Sequence, residues 1–582
     1  MNFLKNILST LIALIVFSAI GIFLFIIVIG SLSEEPPVEV KANSVLHLKL
    51  DKPISEVEFE NPLEEIPVFS SAPSTIGLVQ LKEAIEHAKT DDNIKGIYLD
   101  APYVMAGMGM LHELRATLTD FKKSDKFIVS YGEFYTEPSY YLSSVSDIVA
   151  LHPEGDLEFN GLSANVTFFT GMFEKLEIEP QIFRVGEFKS AVEPFMRKDL
   201  SEENELQLNS LLSGLNSNLL DSIALSRGID KSRLEEISME MLVRNPQNAF
   251  ELNLVDSVFY KDQMMSLIKR KSGTAVDQDV EFIKYTDYNK SFSNYKRSDN
   301  EIAVIVASGD IVTGKGDVNT IGSDKFAEEI REARENDKVK AIVLRVNSPG
   351  GSFIASDVMW RELKLASESK PVIASMSNYA ASGGYYMAMA CDTIVAQPTT
   401  ITGSIGIFGM LFNAQGFLNN KLGIHHDEVS TGKYSNYITP TRPLTDQEKR
   451  IIQTDVEEGY ETFVSKAAAG RNMTVEEIKA IASGRVWSGV QAKENGLVDI
   501  LGDLKMAINI AATKANLEDY KVKYYPKQKS FVDQLMEDLG GGSSAKAMKA
   551  ELGEYYMYIE NIKKVQQMNG LQARWPFEVE IN

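Results

Sequence analysis

Two short motifs bring together residue types suited to acyl transfer. Ser377-Asn-Tyr-Ala-Ala-Ser-Gly-Gly384 follows an apolar run and leads into a stretch of small residues. This places Ser382 at a strand-to-helix turn, with the Gly383 amide next in line. Asn347-Ser-Pro-Gly-Gly-Ser352 also lies directly after a strand pattern and before a helix pattern. Its Pro and two Gly permit a tight turn that bares backbone N–H groups. A hydroxyl with converging amides from Gly383 and from Gly350 or Gly351 is the arrangement of a nucleophile and its oxyanion hole. Each motif alone also reads as ordinary structure: Pro-Gly-Gly as a turn, Ala-Ser-Gly-Gly as a helix start with Ser382 as N-cap. Their occurrence at successive strand ends of one unit favours a site.

A serine nucleophile needs a base. The six histidines show neither HxxxH nor HExxH spacing, which argues against a zinc hydrolase. His425 and His426 follow Leu422-Gly-Ile424, and nothing in the sequence aims them at Ser382. The other candidate is a lysine whose pKa is lowered by burial. Lys189, in Arg184-Val-Gly-Glu-Phe-Lys-Ser-Ala-Val-Glu-Pro194, is one such residue, although spacing alone also fits a surface lysine. The single cysteine, Cys391, excludes an intrachain disulfide and a cysteine-cluster metal site. With 59 Lys+Arg against 81 Asp+Glu the net charge is −22, which argues against nucleic acid as a partner. Neither a metal nor a cofactor is called for.

The elements that must carry these residues are written twice. A shift of 245 residues superposes Ile330-x-x-Ala333 on Ile85-x-x-Ala88, Tyr385-Tyr386 on Tyr140-Tyr141, Asp392 on Asp147 and Gly406 on Gly161. With slight drift, Gly432 and Pro440 match Gly186 and Pro194, and Leu497-Val-Asp499 matches Leu254-Val-Asp256. The chain therefore divides into a first copy, 44–265, a Lys/Asp/Ser-rich linker, 266–300, a second copy, 301–520, and a tail, 521–582. Short apolar runs at 303–306, 341–346, 372–375 and 393–396 predict buried strands. Amphipathic stretches around 323–335 and 355–367, and a run after the capping box Thr445-Asp-Gln-Glu448, predict helices between and beyond them. The alternation implies an α/β fold with largely parallel strands. In the tail, 546–567 reads as a helix beyond a Gly-Gly-Gly-Ser-Ser hinge.

The copies differ where chemistry would sit. At the position of Ser382 the first copy has Glu137, followed by Pro138, and at the Pro-Gly-Gly turn it has Ala101-Pro-Tyr-Val-Met-Ala106. At the position of Lys189 the second copy has Ser435. The first copy keeps a lysine without the serine; the second keeps the serine without the lysine.

Residues 7–30 carry no charged side chain and, at 1.5 Å per residue, reach roughly 36 Å, enough to span a bilayer core. The run is longer than a cleaved signal peptide's apolar region and ends in a poor cleavage site, so 1–43 reads as a membrane anchor. Lys5 before the run and Glu34 and Glu35 after it favour a single-pass topology with the bulk of the chain outside the cytoplasm.

These features resemble signal peptide peptidase A in its long bacterial form with two tandem domains. The resemblance rests on the anchor together with Arg184–Phe195, Val346-Asn-Ser-Pro-Gly-Gly351, Tyr379-Ala-Ala-Ser-Gly-Gly-Tyr385, Thr402-Gly-Ser-Ile-Gly406 and Gly484-Arg-Val-Trp-Ser488. It implies two Clp protease/crotonase-like spirals of ββα turns behind a transmembrane helix. It also implies a serine endopeptidase with a Ser–Lys dyad. Ser382 would be the nucleophile and Lys189 the base, Gly383 with Gly350 or Gly351 the oxyanion hole, and Ser404 the residue that orients the lysine. The implied substrates are cleaved signal peptides and other unfolded apolar peptides at the inner membrane. The implied assembly is a homotetramer. Two rivals stand beside this reading: a crotonase-type acyl-CoA enzyme, and a non-catalytic membrane scaffold.

Overall fold

The computed structural model describes residues 38–58, 74–275, 277–292, 298–317, 319–526, 571–575 and 579–581, together with 13, 14, 16, 17 and 20. Two parallel sheets of like order form the frame. In the first copy the strands run Phe282–Lys284, Ser44–Lys49, Ile94–Asp100, Phe127–Tyr135, Ile148–Leu157, Ser257–Val258. In the second they run Lys521–Tyr525, Glu301–Ser308, Val339–Ser348, Val372–Ala381, Thr393–Ala396, Ile500–Leu501. The second copy adds Ile401–Gly403 and Val486–Ser488 beyond the far end of Val372–Ala381. The four apolar runs predicted as strands in the second copy are the inner members of its sheet. They are buried on both faces, as parallel strands covered by helices require.

Helices Ser323–Glu335 and Phe353–Ser367 cover one face of the second sheet, and Leu504–Lys514 covers the other. Helix Asp446–Arg471 begins at the predicted capping box, with Thr445 Oγ1 accepting the Glu448 amide. The segment 266–300 includes the strand Phe282–Lys284, which joins the first sheet, and the helix Tyr285–Ser291. In the same way the start of the tail, Lys521–Tyr525, closes the edge of the second sheet. The predicted tail helix, 546–567, lies outside the described residues. The predicted membrane span, 7–30, lies almost wholly outside them. Among the described residues no helix is long and apolar enough to cross a membrane.

Matched residues make matched bonds in the two copies. Tyr140 Oη donates to Leu254 O at 2.6 Å, and Tyr385 Oη to Leu497 O at 3.1 Å. Asp147 accepts the Ile128 amide and Asp392 the Val372 amide, each at 2.8 Å. Asp256 accepts from Val149 and Asp499 from Ile394, each at 2.7 Å.

The copies are locked together by polar contacts buried between them. The Arg345 guanidinium, fully enclosed on a central strand of the second copy, donates to Glu56 and Glu113 of the first copy at 2.8 Å each. Glu113 also accepts from Lys82 at 2.5 Å and from Gln397 at 3.2 Å. Charges this deep are costly unless paired, so the cluster fixes how the copies sit against each other.

Candidate active site

Ser382 stands between the strand Val372–Ala381 and the helix Gly383–Ala388. Its backbone has φ 53° and ψ −110°, an unfavourable conformation for a residue with a side chain. Two hydrogen bonds hold it there: its amide donates to Gly403 O at 2.8 Å, and its carbonyl accepts from the Tyr386 amide at 2.8 Å. The side chain makes no helix-capping bond. The capping interpretation of Ala-Ser-Gly-Gly therefore gives way, because the strained backbone turns the hydroxyl away from the helix amides.

The hydroxyl instead meets Lys189. Nζ lies 2.9 Å from Ser382 Oγ, 3.0 Å from Ser404 Oγ and 3.2 Å from Ser404 O. Lys189 is only 1% exposed, so it is not the surface lysine that spacing alone allowed. Burial, acting alone, drives its pKa well below the ordinary lysine value. The amine is surrounded by hydroxyl and carbonyl oxygens, which orient it without adding the negative charge that would restore its proton.

The lysine reaches this place because the first copy lends a strand to the second. Glu179–Arg184 pairs antiparallel with Phe408–Asn413, and the Val185 amide continues to Ile407 O at 3.2 Å. The turn that follows delivers Lys189. Gln207 braces it by donating to Ser190 Oγ at 2.9 Å and accepting from the Val486 amide at 3.3 Å.

The Pro-Gly-Gly turn lies against the serine. Gly350 and Gly351 have φ of 104° and 155°. A Cβ added to Gly350 would come within 2.8 Å of the Gly383 nitrogen, so the two turns touch. The Gly350 amide is taken by Ser348 Oγ at 3.2 Å. The Gly351 amide faces a seated strand. Leu571–Arg574 runs antiparallel between Gly350–Ser352 and Phe408–Asn413, with Gly351 opposite Ala573. The Trp575 amide donates to Pro349 O at 2.9 Å. The alternation of an antiparallel ladder then makes Gly351 and Ala573 the next mutually bonded pair. The Ala573 carbonyl thus accepts from Gly351 and points into the space beside Gly383, where a Cβ would lie 3.1 Å from that oxygen.

The matching place in the first copy is closed to this chemistry. Glu137 is buried there, accepting the Gly161 and Asn160 amides at 2.9 and 3.3 Å, and burial raises its pKa. Motif and spacing did not point to the cross-copy cluster of Arg345, Glu56 and Glu113, the brace at Gln207, or the strand 571–574. One signal for the cluster was available: Arg345 interrupts the apolar run Ala341–Val346, where a charge must find a buried partner.

The sequence profile described as Peptidase family S49 matches residues 120–274 and 364–518, one stretch in each copy. A "Serine protease SPPA, chloroplastic" from Arabidopsis thaliana is 36% identical over 502 residues, covering 85% of this chain and 72% of the relative. A "Protease 4" from Salmonella typhi is 36% identical over 484 residues, covering 81% of this chain and 77% of the relative. Among solved structures, a ClpP1 N165D mutant from Listeria monocytogenes aligns with 35% of this chain and 94% of its own at 15% identity and a TM-score of 0.23. With the profile matched twice, and with more than four-fifths of the chain aligned to each of these relatives at 36% identity, the chain belongs to peptidase family S49, as a serine-type peptidase of the long two-domain form.

Proposed function

We propose that the chain is a membrane-anchored endopeptidase working through a Ser382–Lys189 dyad on cleaved signal peptides and other extended apolar segments. The observation that carries this is the 2.9 Å contact between Lys189 Nζ and Ser382 Oγ, both of them buried side chains. A lysine of depressed pKa gives up its proton more readily than an ordinary one, and in its neutral form can take the serine proton. Ser382 Oγ then attacks the substrate carbonyl, and the proton held on Nζ passes to the leaving amine as the C–N bond breaks. Water, activated by the same amine, releases the acyl group. Ser404 Oγ and O hold Nζ on the line to Ser382.

The oxyanion would be met by the Gly351 and Gly383 amides, with Gly350 shaping the turn between them. Supporting this is the seated strand, whose Ala573 carbonyl lies where a substrate carbonyl would lie in strand addition. The stretch 7–30 serves as the anchor, placing the body on the extracytoplasmic face of the inner membrane, and the assembly is a homotetramer. Apolar, extended substrates suit a groove that offers backbone hydrogen bonds, as the seated strand Leu571–Arg574 receives them.

A serine-directed fluorophosphonate tests the dyad. Labelling is expected at Ser382 in the wild type and absent in Ser382→Ala and Lys189→Ala, both of which should retain the wild-type melting profile. Undiminished labelling and peptide turnover by Lys189→Ala would remove the lysine from the mechanism.

A further inference from the structure

The turn Ser483–Arg485 leads into the Gly484-Arg-Val-Trp-Ser488 motif, and its main-chain hydrogen bonds go to the neighbours of the dyad. It is hydrogen-bonded to the segment that carries Lys189 and to the serine that contacts its amine. The Phe188 amide, one residue before Lys189, donates to Ser483 O at 3.0 Å. The Ser404 amide donates to Arg485 O at 2.7 Å, and the Gly484 amide donates to Ile405 O at 2.8 Å. One turn is therefore hydrogen-bonded on one side to the strand of chain that carries the lysine and on the other to the serine that orients it.

Its packing is equally specific. Gly484 has φ 82°, and a Cβ on it would lie 2.7 Å from each of the N, Cα and Cβ atoms of Lys189. A Cβ on Gly406 would lie 3.2 Å from Lys189 Cδ and 2.9 Å from Gly484 Cα. A Cβ on Gly186 would lie 2.4 Å from the Ser483 carbonyl. Three glycines thus make a sleeve with no spare width around the backbone and stem of the lysine. Outside the sleeve, the Arg485 guanidinium carbon sits 5.1 Å from the Phe188 ring centre and 4.2 Å from that of Trp487, so it is stacked against both. Trp487 is held in turn by its Nε1 donating to Ile481 O at 3.0 Å.

We infer that Gly484 and Arg485 are positioning residues for the Lys189 amine: the turn sets the distance from Nζ to Ser382 and the depth at which the amine is buried. This rests on the dyad proposed above. The physical consequence is definite. A methyl group at 484 must push the Lys189 backbone away, and a displacement of about 1 Å in a catalytic group can cost on the order of a hundredfold in rate. The displaced amine also gains solvent, and its pKa moves back up toward the ordinary lysine value.

The test compares Gly484→Ala and Arg485→Met with wild type in the full chain, reading kcat, KM and the pH–rate profile on one short apolar peptide, with thermal melts as the folding control. Expected are a fall in kcat of about tenfold or more, KM within about twofold, and an acid limb shifted to higher pH. Arg485→Met keeps the main-chain bonds and removes only the stack, so it reports even if Gly484→Ala fails to fold. A folded Arg485→Met variant with wild-type kcat and an unshifted acid limb overturns the role of Arg485; the same result for Gly484→Ala overturns the sleeve. A purely structural role would lower the melting temperature and leave the acid limb in place, which also overturns the inference. If Lys189→Ala itself stays active, the dyad fails and the inference with it; an inactive Lys189→Ala beside unaffected variants sinks the inference alone.

Discussion

Lys189 Nζ lies 2.9 Å from Ser382 Oγ although 193 residues of chain separate them. The amine comes from the first copy and the hydroxyl from the second, so one molecule supplies both. The contact exists only because a first-copy strand, Glu179–Arg184, is laid along a second-copy strand, Phe408–Asn413. The function of each copy therefore depends on how the other is held.

Activity should follow the protonation of that amine. Burial disfavours the charged form, so the folded lysine loses its proton well below the ordinary lysine value. In the proposed dyad the lysine works when neutral; kcat/KM is therefore expected to rise with pH through the depressed pKa and then level off. A pH–rate profile measured on a peptide substrate over the whole range in which the fold is stable checks this, and activity that falls as pH rises out of the acid range contradicts a neutral-lysine base.

The cross-copy cluster should set both stability and activity. Glu113→Gln leaves Arg345 and Lys82 short of a buried negative charge, a loss of about 3–5 kcal/mol for a broken buried pair. In the native fold Arg345 and Lys82 hold the Glu113 pKa down to about 2, below its ordinary value of 4.5. The folded state thus binds that proton less readily than the unfolded state. The stabilisation is complete above about pH 4.5 and is lost as pH falls toward about 2. Denaturant titrations of wild type and Glu113→Gln at neutral and acid pH should show a gap that narrows on acidification. Peptidase activity should fall in step, because the cluster holds the two halves of the site in register.

The strand Leu571–Arg574 fills the space between Gly350–Ser352 and Phe408–Asn413 that an incoming peptide would need. A chain ending at residue 570 should therefore bind short peptides more tightly. KM is expected to fall on the order of tenfold with kcat little changed, since occupancy of the groove reduces the fraction open to substrate. Unchanged KM would mean that the strand leaves the groove freely in solution.

Much of the fold was legible in the sequence because it is repeated and because buried parallel strands carry near-continuous apolar runs. The order of matched residues gave the two copies, and several of those residues make the same bond in both: Tyr140 and Tyr385, Asp147 and Asp392, Asp256 and Asp499. Ser382 was legible from its setting in a Gly-rich strand-to-helix turn, where local backbone rules apply. Lys189 was not legible from spacing, since nothing within the first copy's sequence says that its turn will be buried by the second.

The sequence by itself determined the residue types of the candidate site, the repeat, the strand and helix pattern and the presence of Glu137 where the second copy has Ser382, because these depend on local periodicity and on chemistry at single positions. Tertiary structure alone decided that Lys189 is buried, that Ser382 Oγ turns toward it rather than capping a helix, that Gly351 rather than Gly350 presents its amide to the groove, and that the tail supplies a strand there. Each of these depends on contacts between segments far apart in the chain, and the desolvation that lowers the lysine pKa has no counterpart in any local stretch of sequence.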